Sequence, residues 1–132
     1  MSTQPPATAP RTRPHPAFSA LVGLTTLGVL LQGLWAGLFL GTDDHSTWVD
    51  VHNVGAMVTV VLALLATVAG LVWMRNNRPA VIAAGALLVL LVVETGLGSA
   101  ADDSRGTLVV HVPLALLIMG LAVYTPVLAR RG

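Results

Sequence analysis

Cysteine is absent from the 132-residue chain. That rules out a disulfide framework, a thiolate metal site and attachment of haem through a CxxCH motif. Lysine is absent as well, so every basic side chain is an arginine. Charged residues make up only 10% of the chain, against roughly 25% in an ordinary soluble domain. What remains is 55% hydrophobic and rich in Ala, Gly, Val and Leu. This is membrane composition, and its bias is that of a high-GC bacterial genome. A net charge of +1 gives no ground for a nucleic-acid partner, and the partner to expect is the lipid bilayer. No nucleophile–base pair, phosphate loop or zinc-helix motif is visible, so nothing supports an enzymatic activity.

The first residues, 1–16, are polar and proline-rich and cannot bury apolar surface, so a disordered tail is expected there. Residues 17–132 then form one domain. Four apolar runs occupy about residues 18–41, 49–74, 79–97 and 107–128, each near the ~20 residues that cross a hydrocarbon core. The first run is too long for a signal-peptide core and reads as a retained anchor. Strands of a membrane barrel would alternate polar and apolar residues, so the runs are helices. The expected fold is therefore all-α: an integral membrane four-helix bundle with Pro79 in the first turn of the third helix. Arg11, Arg13, Arg75, Arg78, Arg130 and Arg131 fall on one side of the membrane. Asp43, Asp44, Asp50, Asp102, Asp103 and Arg105 fall on the other. The positive-inside rule makes both termini cytoplasmic in a bacterial inner membrane. Trp48 then sits at the outer boundary, and Trp73 and Tyr124 at the inner one.

One pattern recurs. TDDHSTWVDVHNVGA over 42–56 is echoed by ADDSRGTLVVHVPLA over 101–115. Asp43, Asp44, His52 and Ala56 map onto Asp102, Asp103, His111 and Ala115 at one constant offset. A two-helix internal repeat would relate helices 1–2 to helices 3–4 about an axis along the membrane normal. It would set His52 and His111 at one depth, each about one turn inside its helix, facing each other across the bundle. Axial ligation of a single haem b iron needs such a pair, with Gly55, Ala56 and Ala115 leaving room for the flat ring. The acidic pairs follow from the outward loops alone. Either histidine by itself is more simply a headgroup-level hydrogen-bonding residue, and only their repetition points to a cofactor.

Glu94 is the one acidic residue well inside an apolar run. Charge in the membrane is costly, so Glu94 should face the interior with His52 or His111 as partner, because a ligating imidazole wants an acceptor on its second nitrogen. The alternative is that it snorkels outward. Gln32 stands above a Gly33–Gly37–Gly41 ladder, where glycines would admit a neighbouring helix and the amide would bond across it. That amide could also meet a haem propionate or a quinone. A further expectation places His45 and Asp50 with the aspartate pairs in a divalent-metal site. Pro113, two residues after His111, should kink helix 4 or start it late, and Pro126 should loosen its inner end.

These residues resemble half of haem A synthase, a family built from two four-helix units, each with a histidine pair. LLQGLWAG and VVETGLGSA resemble the Gln/Gly-rich odd-numbered helices of that family, and His52 and His111 stand at its histidine positions. The likeness covers about residues 18–128. The layout of Gln, His and His is also similar to that of small four-helix bacterial membrane proteins. The family carries an acidic residue three before the first His and an Arg directly after it, where this chain has Val49 and Asn53, with Asp50 only two before. What the resemblance implies is binding of haem b, not the complete synthase reaction.

Three functions compete. The first is a bis-histidine haem b protein that transfers electrons or handles haem, beside a quinone or a respiratory membrane complex. The second is a cofactor-free accessory subunit of a larger membrane assembly. The third is a small proton-coupled exporter working as a homodimer through Glu94, although small exporters carry their glutamate in the first helix and this one lies in the third.

Overall fold

The structure, a computed structural model, describes residues 13–101 and 104–131, apart from the side chain of Arg105. Four long helices make up almost all of it: α1 (Pro16–Gly41), α2 (His45–Trp73), α3 (Arg78–Ala100) and α4 (Leu108–Arg131), with one 3₁₀ turn at Arg105–Thr107. All four are long and apolar enough to cross a membrane. The chain is an all-α, multi-pass membrane protein.

The helices form a ring in which α1 packs on α2 and α4, and α3 packs on α2 and α4. Helices α2 and α4 therefore stand at opposite corners. In lipid there is no hydrophobic drive between apolar helices, so close van der Waals contact and hydrogen bonds must hold them. The core is accordingly made of small residues. Near the arginine end, Ala66, Ala69, Ala80, Ala84 and Ala129 surround Phe18 and Val22. In the middle, Ala63 and Ala122 lie among Val29, Leu87, Leu91 and Ile118. Large aliphatic side chains such as Leu30, Leu34, Ile82 and Leu116 point outward.

The internal repeat is visible in the packing. Shifting by the 59 residues that separate His52 from His111 carries the buried positions Thr59, Ala63, Ala66 and Gly70 of α2 onto Ile118, Ala122, Thr125 and Ala129 of α4, all buried. The same shift carries the end of α1, Gly41, onto the end of α3, Ala100.

Several local expectations change. Helix α2 starts at His45 rather than about residue 49, because Ser46, Thr47 and Trp48 form its first turn. His52 is thus about two turns into α2, whereas His111 is about one turn into α4. The repeat resolves the mismatch: the segment of α4 equivalent to the first turn of α2 is the 3₁₀ turn. The Gly33–Gly37–Gly41 ladder admits no neighbouring helix, since a Cβ on any of the three would meet nothing within 4 Å. Close approach occurs instead at Gly28, where a Cβ would lie 2.5 Å from Thr59 Oγ1, and at Gly55, where it would strike the Trp35 ring.

Helix α4 runs through both Pro113 and Pro126. Pro126 cannot donate to the carbonyl of Ala122, four residues back. Thr26 of α1 does so instead, its hydroxyl donating to Ala122 O at 3.0 Å. Rather than loosening the inner end, the proline creates an acceptor that ties α4 to α1, a common solution where no water can reach. Nearby, the Asn77 side chain caps α3 by accepting from the Ala80 N–H. It also donates to the Leu128 and Ala129 carbonyls, both at 3.2 Å. The last carbonyls of α4 thereby gain a partner.

Of the expected tail, residues 1–12 lie outside the described residues, as do Asp102 and Asp103. Within 13–16, Pro16 opens α1, and the His15 ring stacks on Trp73 with centroids 4.5 Å apart.

Candidate functional site

Four polar side chains gather at the acidic-loop end of the bundle, one from each helix. Gln32 lies on α1, His52 on α2, Glu94 on α3 and His111 on α4. The two imidazoles come from helices at opposite corners of the ring.

Each histidine is held by a side chain of the helix before it. With its amide oriented as its partners require, Gln32 donates to His52 Nδ1 at 3.0 Å and to the His52 carbonyl at 3.1 Å. Its oxygen accepts from the Ala56 N–H at 3.0 Å. Gly55 permits this, because a Cβ there would stand 2.8 Å from the Gln32 amide atom that, in this orientation, is the oxygen. On the other side of the bundle, Glu94 is 9% exposed, which places it in the interior and not at the surface. One of its oxygens is 3.2 Å from His111 Nδ1. That approach falls short of hydrogen-bond alignment, and both carboxylate oxygens and His111 Nδ1 are buried without a hydrogen-bond partner among the described residues. A buried carboxylate left in this way is expensive, and such groups mark functional positions in membrane proteins more often than structural ones.

The apolar walls repeat as well. Phe39 meets His52 edge-on, with ring centroids 5.5 Å apart. Its counterpart in the second half is Gly98, where a Cβ would lie 3.2 Å from His111 Cε1. A bulky ring on one side thus faces a glycine on the other.

The expected residues separate into two groups. Gln32 is paired with His52, with Ala56 contributing its N–H, and Glu94 is paired with His111. Ala115 lies one turn further along α4 from His111, partly buried. Of the expected outer metal group, Asp102 and Asp103 lie outside the described residues, and among the described ones no three His, Cys, Asp or Glu side chains gather. Asp43, Asp44, His45 and Asp50 are exposed, and the His45 ring instead bonds the Phe39 carbonyl at 2.8 Å. Sequence reasoning missed Phe39, Trp35 and Gly98. For the first and last, the offset of 59 residues was a usable signal, since it pairs them with each other.

A haem iron needs an imidazole with one nitrogen free and its proton on the other, directed at an acceptor. His111 with Glu94 fits that donor set. At His52 the Gln32 amide presents an N–H to Nδ1 instead, so this imidazole fits as a polar neighbour of the ring more readily than as a ligand. Comparison with protein-family models, curated proteins and solved structures gave no match.

Proposed function

We propose that this chain is a membrane protein that binds haem b between α2 and α4 at the extracytoplasmic end of its bundle, for electron transfer or haem handling. The observation that supports this reading is the placement of His52 and His111 on the opposite-corner helices α2 and α4 toward the acidic-loop end of the bundle, with a Glu94 oxygen 3.2 Å from the Nδ1 of His111. When bound, haem b supplies a one-electron redox centre. The chain's own residues have separate tasks. His111 would offer a nitrogen to the iron, and Glu94 would accept a hydrogen bond from the N–H of the other ring nitrogen, which raises the basicity of the ligand. Gln32 fixes the orientation of His52. Phe39 and the alanines at 56 and 115 form the apolar surroundings, and the depth in the membrane excludes bulk water.

The test is the visible spectrum of the full chain purified from haem-sufficient cells. A Soret band, lost in His111→Ala, is expected. A wild-type protein with no Soret band, even after added haemin, refutes the proposal.

A separate observation favours a second reading. The glycine ladder on α1 is open to the surroundings, as an accessory subunit packing against a larger membrane complex would require. Isolation from native membranes distinguishes it, because this reading predicts a stoichiometric partner and no chromophore.

A further inference from the structure

The end of the bundle away from the histidines carries an unbalanced charge. Arg13, Arg75, Arg78, Arg130 and Arg131 lie at or beside the starts of α1 and α3 and the ends of α2 and α4. The six acidic residues of the chain fall at positions 43–50 and 94–103, toward the opposite end. Glu94 with His111 is the one ion pair among the described residues.

At the arginine end the seam between α1 and α4 opens into a cleft of about 240 Å³. Pro14 and Arg130 stand at its rim, and Phe18, Val22, Gly23 and Pro126 supply its apolar walls. From Pro16, where α1 begins, to Gly23 is about 10 Å at ~1.5 Å per residue. Deeper still, the Thr26 bond to the Ala122 carbonyl draws the two helices together. The cleft is therefore charged where it meets the membrane surface and apolar below.

Ser19 also lines it, and its hydroxyl is free. Beyond the first three residues of each helix, every other serine and threonine bonds the carbonyl one turn back, which is where a hydroxyl in a helix finds a partner without water. The Ser19 side chain makes no such bond among the described residues; only its N–H meets the His15 carbonyl.

Charge selects the occupant. Residues 1–12 hold Arg11 and no acid, and a second copy inserted in the same orientation brings its own arginines to this level. Either would set like charges side by side. A lipid with a net negative headgroup brings the opposite sign, a phosphate for the guanidinium and an acyl chain for the walls. Basic pockets between membrane helices take such headgroups.

We propose that the α1–α4 cleft binds an anionic phospholipid of the adjoining leaflet, with Arg130 and the Ser19 hydroxyl on the headgroup phosphate and one acyl chain along Phe18, Val22 and Gly23. The full-length protein in mild detergent is mixed with phosphatidylglycerol, or with phosphatidylcholine of the same acyl chains, and bound lipid is measured by native mass spectrometry. Phosphatidylglycerol should bind at one per chain, about tenfold more tightly than phosphatidylcholine. Arg130→Gln should weaken it about tenfold. Arg131→Gln removes the same charge outside the cleft and should weaken it much less. Gly23→Leu keeps every charge and fills the cleft, since a Cβ there meets nothing within 4 Å, and it should exclude the lipid. Equal affinity for the two lipids, equal losses in the two arginine variants, or wild-type binding by Gly23→Leu overturns the proposal. So does a dimer that forms in place of the lipid complex. Both arginines are exposed, so their comparison decides even where Gly23→Leu fails to fold.

Discussion

Replacement of Thr26 by Val tests the most specific polar contact of the bundle. The two side chains have nearly the same shape, so the change removes one hydroxyl and little else. In the native protein the single proton of that hydroxyl is shared between Ala122 O at 3.0 Å and Val22 O at 2.9 Å. The Val22 carbonyl keeps its helical N–H partner after substitution. The Ala122 carbonyl keeps none, because the residue four positions on is Pro126. Interhelical hydrogen bonds in membranes average about 0.6 kcal/mol and reach about 1.7. A carbonyl left wholly unpaired costs about 1–3 kcal/mol. The expected loss for Thr26→Val is therefore about 1–2 kcal/mol. Thr67→Val is the control: Thr67 bonds the Ala63 and Ala84 carbonyls, both followed four residues later by a residue with an N–H, so about 0.6 kcal/mol is expected. Unfolding by SDS titration in mixed micelles, followed by tryptophan fluorescence, measures both. The decisive step is a double-mutant cycle with Pro126→Ala, which returns an N–H to the Ala122 carbonyl. Thr26→Val should then cost about 1 kcal/mol less than in the native background. Equal costs in the two backgrounds refute the reasoning.

Three further outcomes are expected. Gly28→Ala and Gly33→Ala gain the same helix propensity, which cancels in their difference. Only the first meets Thr59, so it should be less stable than the second by about 1–3 kcal/mol in the same unfolding assay. Asn77→Ala removes an N-cap and two bonds to the end of α4 and should lower stability by about 1–3 kcal/mol, with faster hydrogen exchange confined to the starts of α3 and the end of α4. Glu94→Leu should weaken haem retention by about 10–100-fold, while Glu94→Gln, which still offers an acceptor to His111 Nδ1, should retain most of it. Haem transfer to apomyoglobin measures both variants.

The four spans were legible because apolar length is a property of the sequence alone, and Asp43, Asp44, Asp102 and Asp103 with the flanking arginines marked the two ends. The repeat was legible from His52 and His111. What stayed hidden depends on rotation about the helix axes. The glycines at 33, 37 and 41 have the spacing of a packing ladder, yet α1 turns that face outward and uses Gly28 instead. The start of α2 was misplaced because Ser46 and Thr47 read as loop residues, although a helix may begin outside the apolar zone where water satisfies its first N–H groups. Glu94 was expected beside either histidine. The choice of His111 was not legible from the ring order of the helices, since α3 meets α2 and α4 alike and only the facing of each side chain decides.

The site joins a symmetric scaffold to asymmetric chemistry. Backbone equivalence carries α2 onto α4 and delivers both histidines to the same end of the bundle, but their polar partners do not correspond. The counterpart of Gln32 in the repeat is Leu91, and the counterpart of Glu94 is Trp35. The two polar side chains therefore reach the histidines from levels about one turn apart. They are not interchangeable. At position 32 the side chain must satisfy a carbonyl and an N–H together, which an amide can do and a carboxylate cannot, because one of its oxygens would face the His52 carbonyl. At position 94 no backbone group constrains the choice, so a carboxylate is tolerated, and a neighbour able to hold a proton for it lies 3.2 Å away. Duplicating a helical hairpin thus supplies two histidines alike, and a one-turn displacement of the polar partner is enough to give one an amide and the other a carboxyl group as the neighbour of its Nδ1.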